Sequence, residues 1–268
     1  MASILNNRIR GKNIVITGAS GGLGEQLAYL CAKNGANLFL LARNKRKLDK
    51  IVATVHQQYA VKCTAFALDV SQGEQVKQVF LKIMKQAGTI DVLVNNAGFG
   101  IFAEAKNTDS ADVEAMFSVN AVGLITCTQQ VIPSMSKQQY GHIINIASQA
   151  GKIATPKSSV YAATKHAVLG YTNALRMEMS QVGVYVTAVN PGPIRTGFFQ
   201  TADPGGSYLE NVGRLLLEPE KVAEKIVRVM LSNKREINLP RWMNSIATLH
   251  TMMPSIVERL GKKAFFKK

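Results

Sequence analysis

The chain has 268 residues, is 47% hydrophobic and carries a formal net charge of +15. That length suits one large α/β domain, and the hydrophobic content excludes a disordered or fibrous chain. The basic balance comes without a helix-turn-helix, zinc or aromatic RNA-reading motif, so no nucleic-acid partner is expected.

Short β-branched runs alternate with helical-period segments, the pattern of βαβ units and a doubly wound parallel sheet. The first strand is expected at 13–17, before a loop holding Gly18, Ser20, Gly22, Leu23 and Gly24 and a helix at 22–33. Gly18 permits a sharp turn, Gly22 allows backbone amides to approach a phosphate, and Gly24 allows the helix to pack on the sheet. A pyrophosphate would rest on the free N–H groups of the helix start. The spacing G-x-x-x-G-x-G differs from G-x-G-x-x-G, and the missing Gly-Lys-Ser/Thr excludes an NTPase loop.

A second strand at 36–41 leads into Ala42 and Arg43. An acid here would bind the ribose hydroxyls of NAD(H). Arg43 instead suits a 2′-phosphate, with Lys45 and Arg46 reinforcing the field, so NADP(H) is favoured over NAD(H). These cations equally suit the start of an exposed helix. The third strand, 62–68, delivers Asp69 and Val70 before a helix at 72–86; Asp69 is either an acceptor for the adenine amino group or a helix cap.

A fourth strand at 91–94 and a long helix at 109–134 follow, then a strand at 142–147 ending at Ser148. In a helix at 157–180, Tyr161 and Lys165 stand at i and i+4 on one face. A cation ~4 Å from a phenol, at an effective dielectric of about 20, contributes roughly 4 kcal/mol. That would lower a pKa of about 10 by up to about three units, towards neutrality, where an acid–base group works best. An ordinary amphipathic helix offers the same Tyr-x-x-x-Lys spacing. A strand at 184–189, a helix at 219–231 and a short strand at 236–239 complete the pattern. All these candidates fall at predicted strand ends, where ligands bind in an open α/β sheet.

Taken together, these motifs resemble the short-chain dehydrogenase/reductase family in its single-domain Tyr-x-x-x-Lys form, over about residues 12–239. The resemblance implies a Rossmann-type doubly wound parallel sheet of about seven strands, a three-layer α/β/α single domain, and interconversion of a carbonyl and a secondary alcohol. It makes Tyr161 the general acid/base and Lys165 the cation that lowers its pKa and holds the nicotinamide ribose. Ser148 would polarise the substrate oxygen, and Asn120 would anchor a water leading from Lys165 to solvent. Asn95, Asn96, Ala97 and Gly98 would shape the loop over the adenosine-side ribose. Pro191, Gly192, Ile194 and Thr196 would hold the nicotinamide carboxamide. Ser20, Leu23 and Val70 join the cofactor contacts. Gly21 stands where many NADP-dependent relatives carry a cation, leaving the 2′-phosphate mainly to Arg43. His142 and His166 match no family position and are read as structural. No metal is expected, and a non-catalytic nucleotide sensor is the alternative reading.

Residues 1–240 are assigned to the catalytic domain, with a mobile lid at about 197–217 whose Phe198, Phe199, Tyr208 and Leu209 suggest an apolar pocket. Residues 241–268 form a basic, amphipathic extension, interrupted by Pro254, that packs on the lid, pairs subunits or touches a membrane. In relatives the helices at 109–134 and 157–180 pair between subunits, which implies a homodimer or homotetramer. Cys31, Cys63 and Cys127 form no ligand pattern and suit reduced thiols. The start of the sequence has no apolar stretch of signal-peptide length, and no apolar run reaches the ~18 residues of a membrane span. A cytoplasmic protein, peripheral to a membrane at most, is expected.

Overall fold

The computed structural model describes residues 6–206, 208 and 212–265; Leu209 of the expected apolar pocket, and Phe266, Lys267 and Lys268 of the basic tail, lie outside the described residues. The chain alternates β1 (Asn13–Thr17), α1 (Gly22–Lys33), β2 (Asn37–Ala42), α2 (Lys45–Gln58), β3 (Cys63–Ala67), α3 (Gly73–Ala87) and β4 (Val92–Asn95). It continues with α4 (Ser110–Phe117), α5 (Leu124–Gln138), β5 (Gly141–Ile146), α6 (Ser159–Ser180) and β6 (Val184–Pro191). A short α7 (Phe198–Ala202), α8 (Pro219–Val229), β7 (Glu236–Leu239), α9 (Arg241–Met252) and α10 (Pro254–Phe265) complete it.

The seven strands form one parallel sheet in the order β3-β2-β1-β4-β5-β6-β7. The order reverses between β1 and β4, which opens a crevice at their carboxyl ends. Alternation sorts each strand between two cores. Ile14, Ile16, Leu38 and Leu40 face the layer containing α1, α2 and α8. Val15, Phe39, Leu41 and Leu93 face the layer containing α3, α5 and α6. Both faces of the sheet are therefore dry, which is why its strands read as continuous apolar runs.

The expected helix at 109–134 is broken. A π-helical turn, Ser118–Gly123, separates α4 from α5. The turn brings Gly123 so close to the loop after β3 that an added Cβ would lie 2.7 Å from the Val70 carbonyl oxygen. Such turns recur at functional sites, and this one carries Asn120. The run Ser110–Gln138 has the length of a membrane span and contains an 18-residue window with a mean hydropathy of 1.3. Here it is a core helix layer, with Met116, Leu124, Cys127, Val131 and Met135 buried.

The buried residues explain two sequence features. Burial pushes all three thiols up, Cys63 and Cys127 to about 12, so they behave as apolar packing. His142, fully buried in β5, accepts at Nδ1 from the Leu231 amide at 2.9 Å. Its Nε2 therefore carries the proton and donates to Thr187 Oγ1 at 2.8 Å. Burial, with Arg8 adding repulsion, pushes its pKa down to about 3. The unfolded chain takes up this proton near pH 6.5 and the folded chain only near pH 3, so stability falls as pH drops between those values. The acid loss should reach on the order of 4 kcal/mol. Thermal melts from pH 7 to pH 4 check it: His142→Gln should be weaker at pH 7 but flatter below. An equally steep acid slope in the variant would assign the loss elsewhere.

Candidate active site

The crevice is framed first by the loop after β1. Gly18 sits at φ +65°, and a Cβ there would meet Ala97 Cα at 2.7 Å. Gly24 is against the loop rather than the sheet: a Cβ there would stand 2.4 Å from Gly18 O. Asn96 clasps the turn, donating from Nδ2 to the carbonyls of Thr17 at 3.0 Å and Gly18 at 3.1 Å. The Thr17 hydroxyl accepts from the amides of Asn96 and Ala97, both at 3.0 Å. Asn96 and Ala97 thus brace the glycine loop itself. Gly22, at φ +56°, faces Thr196, whose Cγ2 an added Cβ would approach to 3.0 Å. Gly21 supplies no side chain to cap α1, which leaves the helix start able to take an anion.

At the end of β2, Ala42 is buried and Arg43 is exposed, with no hydrogen bond or ion pair to its guanidinium among the described residues. The expected support from Lys45 is not available, because Lys45 pairs with Asp49 one turn along α2. Asn44 caps that helix through Lys47 N at 3.0 Å. Asp69 does not cap α3, whose N-cap is Gln72. Its Oδ1 folds back onto the amide and hydroxyl of Ser71, at 3.0 and 2.7 Å.

Ser148, Tyr161 and Lys165 meet between the end of β5 and the first turns of α6. Ser148 Oγ accepts from Ala150 N at 3.0 Å and donates to the Pro191 carbonyl at 3.4 Å. Lys165, only 5% exposed, donates to the Ile146 carbonyl at 2.9 Å, with Nζ 5.8 Å from the Tyr161 ring centre. This corrects the expectation of a phenol near neutrality. Burial pushes Tyr161 up to about 12, against a weaker downward pull from Ser148. Burial likewise pushes Lys165 down to about 8. The simple Coulomb argument left out desolvation, and here desolvation wins.

Asn120 is fully buried and its side chain grips the loop after β4. It accepts from Phe99 N at 2.9 Å and donates to Phe99 O at 2.8 Å and Thr164 Oγ1 at 3.1 Å. Its amide therefore positions residues 98–100 against Tyr161 and Lys165. A Cβ on Gly98 would fall 3.0 Å from Asn120 Oδ1, and one on Gly100 3.0 Å from the Tyr161 ring. Beneath, Asn95 Nδ2 donates to Thr128 at 2.8 Å and Asn145 at 2.9 Å, and Asn145 donates to Thr172 at 2.9 Å. This buried chain ties α5, β4, β5 and α6 together under the site.

The segment after β6 is pinned along its length. Gly192 N donates to Leu239 O at 2.6 Å, Ile194 bridges to Leu217, and Thr196 Oγ1 accepts from Phe198 N at 3.3 Å. Above Tyr161 lies an aromatic wall. Phe198 is 5.6 Å and Phe102 5.9 Å from its ring, and Phe102 is 5.1 Å from Tyr208. Sequence reasoning missed Phe102, although its place just after the Asn95–Gly98 segment, at the carboxyl end of β4, was an available signal. It also missed Lys152, which pairs with Glu236 at 2.5 Å and donates to Asn244 at 2.7 Å, fastening α9 to the turn after Ser148.

A model of the short chain dehydrogenase family matches residues 12–205. The chain belongs to that family. It is 31% identical over 262 residues to the Danio rerio "Dehydrogenase/reductase SDR family member 7B", covering 94% of this chain and 85% of that one. An alcohol dehydrogenase from the archaeon Thermococcus sibiricus, solved with 5-hydroxy-NADP, superposes with a TM-score of 0.77 at 27% identity, covering 85% of this chain and 94% of that one. Levodione reductase superposes at 0.79 with 26% identity, covering 87% and 97%. This family member is an oxidoreductase acting on CH–OH groups with a nicotinamide dinucleotide. Its residues fit such a cofactor: side chains on Gly18 and Gly24 would fill the cradle, α1 is uncapped, and a cation stands at the β2 end.

Proposed function

We propose that the protein is an NADP(H)-dependent reductase of apolar ketones, with Tyr161 as general acid. One observation carries the reading: Tyr161 stands beneath an aromatic wall of Phe102 and Phe198, with Lys165 Nζ 5.8 Å from its ring centre, where burial favours the protonated phenol. A group that arrives protonated is ready to donate, so reduction is the direction that needs no prior deprotonation. The bound cofactor supplies the hydride. Ser148 orients the carbonyl oxygen and Tyr161 protonates it. Lys165, close to its titration point at about 8, stabilises the phenolate with its charge and replaces the proton. Asn120 holds the loop that fixes both. Residues 1–240 form the catalytic unit, with residues 197–217 as its lid.

Gly18, Ser20, Gly22, Leu23 and Gly24 would take the pyrophosphate, Arg43 the 2′-phosphate, and Asp69 and Val70 the adenine. Asn96, Ala97 and Gly98 would border the adenosine ribose, and Pro191, Gly192, Ile194 and Thr196 the nicotinamide. Phe102, Phe198 and Tyr208 favour a substrate with an apolar body. Subunits would pair through the α4–α5 and α6 surfaces, where Val122 and Met177 are exposed. A cytoplasmic location with peripheral membrane contact accompanies this reading.

Two measurements test it. Consumption of NADPH scanned over ketones of increasing length, 3-ketoacyl, steroid and sphingoid types included, should rise with apolar length; no turnover with any of them contradicts the reductase. Arg43→Leu should weaken NADPH binding about tenfold or more, the worth of a charge-assisted phosphate contact at an exposed site, and leave NADH within about twofold. Equal effects on both cofactors would refute the phosphate role.

A further inference from the structure

The carboxyl end of the chain leaves apolar surface in water. Trp242, Ile246 and Leu249 on α9 and Met253 just after it recur at i, i+4, i+7 and i+11, and each is 40–48% exposed. On α10, which packs against α9, Ile256 is 49% and Leu260 82% exposed. Scattered exposed apolar residues are ordinary, but two adjoining helices with apolar stripes form a patch.

Charge indicates what covers it. Residues 241–268 carry Arg241, Arg259, Lys262, Lys263, Lys267 and Lys268 against the single carboxylate Glu258. Where α9 begins, a cleft of about 570 Å³ opens between α8 and the end of β7. Lys221, Lys225 and Arg241 line it over Leu217, Leu239 and Pro240. Its two carboxylates are Glu224 and Glu218, the latter paired with Arg195 at 3.0 Å. Two copies of this chain meeting here would oppose like charges, whereas an anionic bilayer meets both the apolar stripes and the cations.

We propose that α9 and α10 lie on an anionic lipid surface, with the apolar stripes among the acyl chains and the Lys221–Lys225–Arg241 cleft receiving a lipid headgroup phosphate. The surface is rigidly joined to the catalytic unit, because Asn244 bonds to Lys152 and a Cβ on Gly192 would approach Met243 Sδ to 3.1 Å. The proposal deepens the peripheral placement above and is independent of the redox chemistry.

Co-sedimentation of the full chain with phosphatidylglycerol–phosphatidylcholine vesicles tests it, with pure phosphatidylcholine vesicles as control. Binding should require the anionic lipid and fall with salt. Trp242→Ser/Leu249→Ser should lose it by about tenfold or more. Lys221→Ala/Lys225→Ala should weaken it ~25-fold, about fivefold per cation. Both variants should consume NADPH with a water-soluble ketone at the parental rate, which separates loss of docking from loss of fold or chemistry. No binding to anionic vesicles would overturn the proposal. So would a fall in light-scattering mass for Trp242→Ser/Leu249→Ser without any vesicle binding by the parent, which would make the patch a contact between copies.

Discussion

Tyr161→Phe should lower turnover about 10³-fold while leaving NADPH binding within about twofold. The ring stays, so its edge contacts with Phe102 and Phe198 persist and the pocket keeps its shape. Only the hydroxyl goes, and with it the proton donor. General acid catalysis by a positioned side chain contributes about 10²–10⁴-fold, which sets the scale. Steady-state kinetics with NADPH and a turned-over ketone, beside a binding titration of the same variant, checks it. A drop smaller than about tenfold would remove Tyr161 from the acid role.

Lys165→Met should move activity and stability in opposite directions. Lys165 is buried among apolar groups with one carbonyl partner, and burial lowers its pKa from 10.5 to about 8. The folded state therefore disfavours the charge. That cost is complete below pH 8 and is relieved as pH rises from 8 towards 10.5, because there the unfolded chain still holds the proton that the folded chain has released. Met fills a similar volume without charge. At pH 7 the variant should gain up to roughly 3 kcal/mol in stability. Turnover should fall by about 100-fold or more, and any limb of the pH–rate profile near 8 should vanish. A folded state keeps such a destabilising group where chemistry needs it. Loss of stability together with activity would make Lys165 a structural residue.

The fold was largely legible, for a specific reason. Strands buried on both faces give uninterrupted β-branched runs, so all seven were found, two with exact bounds and five with ends displaced by at most two residues. The π-turn at Ser118–Gly123 was not legible, because one wider turn offsets the apolar pattern by about a single residue within a long helical run. At the site, Ser148, Tyr161 and Lys165 were visible as spaced motifs, and the structure brings them together. What the spacing did not carry was solvation. An i, i+4 pair looks like an ion–phenol contact on paper, yet Lys165 Nζ turns to the Ile146 carbonyl and burial sets both pKa values. Lys45 shows the same limit: it supplies the expected cation but pairs it with Asp49 along α2. Phe102 escaped notice because a lone aromatic in a loop acquires meaning only when Phe198 and Tyr208 pack against it.

Transfer of label tests the central claim most directly. NADPH deuterated at the transferable nicotinamide position is incubated with the protein and an apolar ketone, and the alcohol is analysed by mass spectrometry. The account predicts one deuterium on the carbinol carbon with the parental protein, and almost none with Tyr161→Phe although NADPH still binds. Bound NADPH with no labelled alcohol from any ketone, or equal labelling by Tyr161→Phe, would contradict it.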